Sequence, residues 1–178
     1  MTKKVFITIA LVLLIGNVNA QQKKSYGIRT GYSSTFMTNG GDKLGSSDNN
    51  YFINFYKDTK IFPFFHFQSG LEYSRTGGTV DNFSHHADYL GVPLALKVKV
   101  GPLYAFGGGS FNVKLAENDL PDDSAFDGKC KWYDSNAFVG AGIEILILTF
   151  DIKYSRGLTN VNNGLKNNGY QAAIGIRF

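Results

Sequence analysis

Apolar and polar residues alternate along most of this chain with a period of two. Tyr89–Val100 shows it most clearly. Leu90, Val92, Leu94, Leu96, Val98 and Val100 share one side, and Gly91, Pro93, Ala95, Lys97 and Lys99 share the other. Successive side chains of a strand point to opposite faces, so this segment has one greasy face and one small or polar face. In Leu148–Leu158, Leu148, Phe150, Ile152 and Tyr154 oppose Thr149, Asp151, Lys153 and Ser155. In Gly169–Phe178, Tyr170, Ala172, Ile174, Ile176 and Phe178 oppose Gln171, Ala173, Gly175 and Arg177. The same rule predicts strands over Ser25–Phe36, Tyr51–Lys57, Phe64–Arg75, Leu103–Leu115 and Ser135–Ile145, eight in all. The second and fifth are ambiguous, because apolar residues fall on both of their faces. No helical period is convincing beyond the first residues.

The connections have a rhythm of their own. Met37–Asn50 is long, Asp58–Pro63 short, Thr76–Asp88 long, and Gly101–Pro102 very short. Ala116–Asp134 is the longest, Leu146–Ile147 is a tight turn, and Thr159–Asn168 is long again. This alternation is the mark of an antiparallel up-and-down transmembrane β-barrel, with short periplasmic turns and longer outer loops. A soluble sandwich would use Greek-key connections and has no reason to sort its loops by length. An even strand number puts both ends of the barrel domain on the periplasmic side. Pairing the first strand with the last removes the sheet edges, which lipid cannot satisfy.

An eight-stranded barrel has an interior just wide enough for side chains. The inward faces carry Arg29, Glu72, Lys97, Lys99, Glu144, Asp151, Lys153 and Arg177, interleaved with Gly and Ser. Both signs of charge are present, so the expected interior is a packed network of ion pairs rather than a conducting pore. A soluble, lipocalin-like ligand-binding barrel would need an apolar interior, and the lysines and acids argue against it. The lipid face is expected to include Leu90, Leu94, Leu96, Phe150, Ile152 and Ile174, with Ala95 pointing inward.

The N-terminus fits export. Lys3-Lys4 precedes an apolar run from Val5 to Ile15, and Val18-Asn19-Ala20 offers a small-residue cleavage site. That is the order of a secretory signal peptide, expected over residues 1–20, with the barrel domain over 21–178. The run is too short for a membrane-spanning helix. The formal net charge of +4 falls further once Lys3 and Lys4 are gone, and the basic residues are scattered, so no nucleic-acid partner is expected. Fifteen Phe, ten Tyr and 21 Gly suit an aromatic-girdled, turn-rich β protein. The single Cys130 has no internal disulfide partner.

Four segments resemble a known family. Tyr89-Leu90-Gly91-Val92-Pro93-Leu94-Ala95-Leu96-Lys97 resembles the "YLxIPLLLK" strand of the PorT-like outer membrane β-barrel family of Bacteroidetes. Leu71-Glu72-Tyr73-Ser74-Arg75 is similar to its "LLYS" strand end. Gly140–Glu144 is similar to its "GAGxE" segment, and Tyr154–Asn160 to its "YSxGLTN" segment. The likeness runs from Tyr26 to Phe178. It implies an eight-stranded outer membrane barrel without implying one activity, and it supplies no catalytic residues. The family's namesake takes part in a protein secretion and gliding machinery.

One cluster suggests catalysis. Ser84-His85-His86-Ala87-Asp88 holds the residue types of a nucleophilic site, and some eight-stranded barrels modify lipids with such residues near the outer rim. Adjacent residues do not supply the required geometry, and a polar loop is the plainer reading. Neighbouring histidines on an extended segment point apart and chelate metal poorly. Glu117, Asp119, Asp122, Asp123 and Asp127 lack the ligand spacing of a calcium loop. Gly107-Gly108-Gly109 lies within a strand and precedes no helix, so close packing explains it better than a phosphate cradle. The expectation is therefore a non-enzymatic protein of the cell outer membrane with no cofactor and a structural or adaptor role. Its expected partners are outer membrane lipid, the outer membrane assembly machinery and an unidentified protein, with Phe178 as the assembly signal. The rival from another class is a lipid- or peptide-modifying enzyme working through Ser84–Asp88.

Overall fold

The computed structural model describes residues 24–39, 42–80, 83–117, 131–160 and 165–178. The signal segment, Cys130 and Asp119–Asp127 lie outside them. Eight strands follow one another around a closed barrel: β1 (Lys24–Asn39), β2 (Asp42–Phe62), β3 (Phe65–Val80), β4 (Phe83–Val100), β5 (Leu103–Glu117), β6 (Tyr133–Ile145), β7 (Leu148–Gly157) and β8 (Leu165–Arg177). Every neighbouring pair is antiparallel, and β1 closes on β8 from Gly27↔Arg177 to Asn39↔Leu165. Closure leaves no open edge in the wall that crosses the membrane, which is the condition lipid imposes.

The two faces sort as the alternation predicts. On β4, Leu94 is 46% exposed and Ala95 is 4% exposed. Leu90, Leu96, Phe150, Ile152 and Ile174 also face outward. The ambiguous strands resolve by size matching. On β2, Ile53 and Phe55 face out while Phe52 and Tyr56 fill the interior; on β5, Leu103 and Phe111 face out while Tyr104 and Phe106 face in. The inward rings have room because glycines stand across from them. A Cβ at Gly140 would overlap the Phe106 ring, and one at Gly142 would overlap the Tyr104 ring. The glycine-rich segment of β6 therefore makes space for β5 aromatics. Gly108 serves a backbone approach: a Cβ there would collide with the Leu94 carbonyl of β4.

The exposed apolar band is bounded by aromatics. Tyr51 and Tyr73, Tyr154 and Tyr170, and Phe111 and Tyr133 pair on its outer margin. Phe62, Phe64, Phe65 and Phe178 are exposed at the opposite end, beside the short turns. Such a band in water would be a large unpartnered apolar surface, whereas lipid solvates it and aromatics settle at its two interfaces.

The loop reading needs correction: β2 runs on through Asp58 to Phe62, and β8 begins at Leu165. The stretches Met37–Asn50 and Thr76–Asp88 are largely paired strand, not loop. Asn39 pairs with Asp42 and Val80 with Phe83, so each hairpin stays paired to its tip. The Ser84–Asp88 cluster accordingly sits on β4. Backbone groups above the membrane gain less from pairing than those within it, since water can satisfy them, yet the strands continue paired there. The Gly40-Gly41 dipeptide between Asn39 and Asp42 is a hairpin signal that supports this.

Candidate functional site

The site with the most chemistry is the barrel lumen. Its innermost layer is assembled from five strands. Lys97 on β4, only 2% exposed, donates to Asp58 on β2 at 2.9 Å, and His66 on β3 meets the other Asp58 oxygen at 2.7 Å. Glu144 on β6 lies 2.7 Å from Lys99, 2.6 Å from Arg177 on β8 and 3.9 Å from Lys97. Lys97 also lies 4.0 Å from the centre of the Tyr104 ring.

The next layer centres on Arg29 of β1. Its guanidinium donates to Asn54 at 3.0 Å and to Gln68 at 3.1 Å, and it pairs with Asp151 of β7 at 3.4 Å. Tyr104 donates its hydroxyl to the same Asp151 at 3.1 Å. The guanidinium is flanked by the Tyr56 and Phe106 rings, 5.0 and 5.8 Å away. A third layer pairs Lys153 with both oxygens of Glu72 at 3.2 Å, beside the Phe52 and Phe138 rings. Buried charges are tolerated when paired and hydrogen-bonded, and every cation in these three layers has a carboxylate within reach.

Toward the outer end, above the Lys153–Glu72 pair, the lining turns mostly neutral, with Asp134 as its one described acid. Asn50 donates to Thr35, Ser110 bonds Asn112 and Asn136, and Asn168 donates to Thr38. Here a chamber of about 30 Å³ remains, lined by Ser33, Ser74, Asn112, Asp134, Asn136 and Gln171 among others. It holds a water or two at most. Asp134 lies on β6, one residue inward of Tyr133 and opposite Asn112. Asn167 donates to one of its oxygens at 3.1 Å, and the other has no partner among the described residues.

All eight charged residues named from the sequence face this lumen. Arg29, Glu72, Lys97, Glu144 and Asp151 are buried; Lys153 is nearly so, and Lys99 and Arg177 are half-buried at the mouth. They form three layered groups across the barrel, one around Glu144 and two single pairs, rather than one cluster. The reading missed Asp58, His66, Asn54, Gln68 and Tyr104. Asp58 was taken for the start of a connection, yet Asn54, Tyr56 and Asp58 continue the inward alternation of β2, which runs on to Phe62.

In the Ser84–Asp88 cluster, the two described ionisable side chains have partners on other strands. Asp88 is held by Arg75 through two hydrogen bonds of 2.8 and 3.2 Å, and that guanidinium keeps its carboxyl below the usual carboxylate range. His86 faces Asp48 of β2 at 3.6 Å. The side chains of Ser84 and His85 lie outside the described residues. Glu117 pairs with Lys114. Among the described residues, no group of three His, Cys, Asp or Glu side chains is placed to hold a metal ion.

The comparisons agree with this architecture. The family model of the outer membrane protein beta-barrel domain matches residues 19–163. The chain belongs to that family. It is a protein of the outer membrane. Its barrel is similar to Neisserial surface protein A, at 10% identity and a TM-score of 0.59, over 86% of this chain and 97% of that one. It is similar to Ail, the attachment invasion locus protein of Yersinia pestis, at 15% identity and a TM-score of 0.52, over 88% and 99%. Against the outer membrane protein OprG of Pseudomonas aeruginosa the values are 12% and 0.51, over 91% and 99%. These identities show a shared fold alone. No curated protein matches the chain. With a charged lumen and an outer membrane location, the soluble lipocalin-like alternative falls away.

Proposed function

We propose that this chain is a non-enzymatic scaffold of the outer membrane, structural or adaptor-like, whose barrel is a sealed anchor rather than a channel. The observation that carries the proposal is the lumen. Three layers of ion pairs fill its periplasmic half, and the chamber beyond them measures about 30 Å³. What remains available for interaction lies at the two ends. On the outer side, the β1–β2 and β3–β4 hairpins stay paired far beyond the apolar band and present a raised wall. The four PorT-like segments support placing the chain near that Bacteroidetes group, with a task linked to protein secretion. A photo-reactive residue placed in the β1–β2 hairpin tests the adaptor role in native outer membranes. A discrete protein adduct, missing when the same probe stands at lipid-facing Leu94, is the expected result. Adducts with lipid alone from both positions argue against it.

Phe178 is proposed as the assembly signal. It ends the outward apolar face of β8, and its backbone is bonded to Tyr26 of β1 in both directions at 2.8 Å, where the barrel closes. Its removal is expected to lower the folded amount in cells more than refolding into detergent. Normal assembly of the shortened chain in cells overturns the assignment.

A further inference from the structure

The periplasmic end has a feature that a sealed anchor does not require. A cavity of about 700 Å³ opens there, lined by Lys60, His66, Lys99 and Arg177 inside and by Phe64, Leu146, Ile147 and Phe178 at its lip. That volume lies in the range of ligand sites, which pair an apolar lining with a few convergent polar groups. The three short turns build it. The main-chain amides of Lys99, Glu144 and Arg177 donate to the carbonyls of Phe64, Pro102 and Ile147, at 2.8, 2.8 and 2.7 Å. Each turn is thereby docked onto a residue whose side chain shapes the charged floor.

Two details set this mouth apart. The first is backbone conformation. Each turn has one residue with positive φ: Gly101 at 61°, Phe64 at 71° and Leu146 at 56°. Glycine adopts this conformation freely, whereas bulky side chains do so at a cost, and such strain gathers at functional sites. Leu146 is also 88% exposed, so packing within the barrel does not repay the strain. The second is the supply of donors. Lys60 is exposed and has no partner among the described residues. Lys99 and Arg177 remain part-exposed, at 21% and 29%, while their one shared carboxylate, Glu144, is buried beneath them. A guanidinium has five N–H donors and an ammonium three, so both mouth-lining residues retain donors beyond those spent on Glu144.

We infer that the periplasmic mouth is a binding site for an acidic, partly apolar peptide segment of a periplasmic protein. A carboxylate enters between Lys60, Lys99 and Arg177, and flanking apolar side chains rest on Phe64, Leu146 and Ile147. Arginine and lysine forks favour carboxylates through charge-assisted hydrogen bonds, and the apolar lip accounts for the strained turns. Glu144 already occupies the inner side of Lys99 and Arg177, so the incoming carboxylate takes their solvent side. The inference is independent of what the outer hairpins engage.

The test uses the full barrel in nanodiscs and a labelled, end-capped peptide with one glutamate between leucines, followed by fluorescence anisotropy. A second peptide carries glutamine in place of the glutamate. The glutamate peptide is expected to bind roughly tenfold more tightly and to be weakened by salt. Lys60→Gln is expected to weaken binding by about threefold. Phe64→Gly and Leu146→Gly are expected to weaken binding while leaving the unfolding midpoint unchanged or higher, since they relieve the positive φ. Equal binding of the two peptides overturns the inference. So does a Phe64→Gly protein that is less stable yet binds normally. Displacement of the peptide by inorganic phosphate at equal concentration also overturns it, by showing a general anion site.

Discussion

The periplasmic half of the lumen stacks ionised pairs between aromatic rings, whereas the outer half is lined mostly by neutral amides and hydroxyls, with Asp134 among them, around a small chamber that rests on the Lys153–Glu72 pair. Lys97–Asp58, Arg29–Asp151 and Lys153–Glu72 each join strands far apart in sequence. Thr35–Asn50, Ser110–Asn136 and Asn168–Thr38 do the corresponding work above them with neutral groups. The difference lies in what each half loses when one member is removed. A neutral partner leaves behind one unmet hydrogen bond. An ionised partner leaves a buried charge in low dielectric, which is far more costly. The charged half is therefore the rigid plug and the neutral half the tolerant one.

The largest expected effect follows from breaking the innermost layer. Lys97→Met leaves buried Asp58 with His66 as its one described partner and removes one of the cations near Glu144, and is expected to cost about 3–5 kcal/mol in denaturant unfolding from liposomes. A change below about 1 kcal/mol would mean that the layer contributes little net stability. The second effect sharpens the comparison at Asp134. Unlike Asp58, Asp151 and Glu144, it has no cation paired with it among the described residues, and one of its oxygens has no hydrogen-bond partner among them. Asp134→Asn is expected to stabilise the fold by about 1–3 kcal/mol in the same unfolding assay, because it removes a buried carboxylate without a counter-charge. A destabilisation as large as that of Lys97→Met would refute the contrast. The smallest effect belongs to Asn112→Ala in the neutral half, expected at about 1 kcal/mol. A loss as large as that of Lys97→Met would erase the distinction between the halves.

The faces of β4, β7 and β8 were legible in the sequence because one side meets lipid and the other a packed interior, so composition must alternate. The outer extensions of β1–β2 and β3–β4 were not. Above the membrane neither face needs apolar residues, and Ser46-Ser47-Asp48-Asn49-Asn50 reads as loop although its strand continues. The inward charges were legible as a set, but their partners were not. Arg29 and Asp151 are 122 positions apart and Lys153 and Glu72 are 81 apart, and only the barrel's circular order brings them together. Phe52, Tyr56 and Phe106 blurred their strands' alternation because they are apolar residues serving a polar interior. Glycines on neighbouring strands admit Tyr56 and Phe106, a relation visible only once the register is known.

Single-molecule conductance in planar bilayers tests the plug most directly. The folded wild type is predicted to stay electrically silent, and so is an Asn112→Ala/Asn136→Ala variant, because the seal lies in the charged half. Stable, discrete openings in the wild type, or openings created by loosening the outer half alone, would contradict the account.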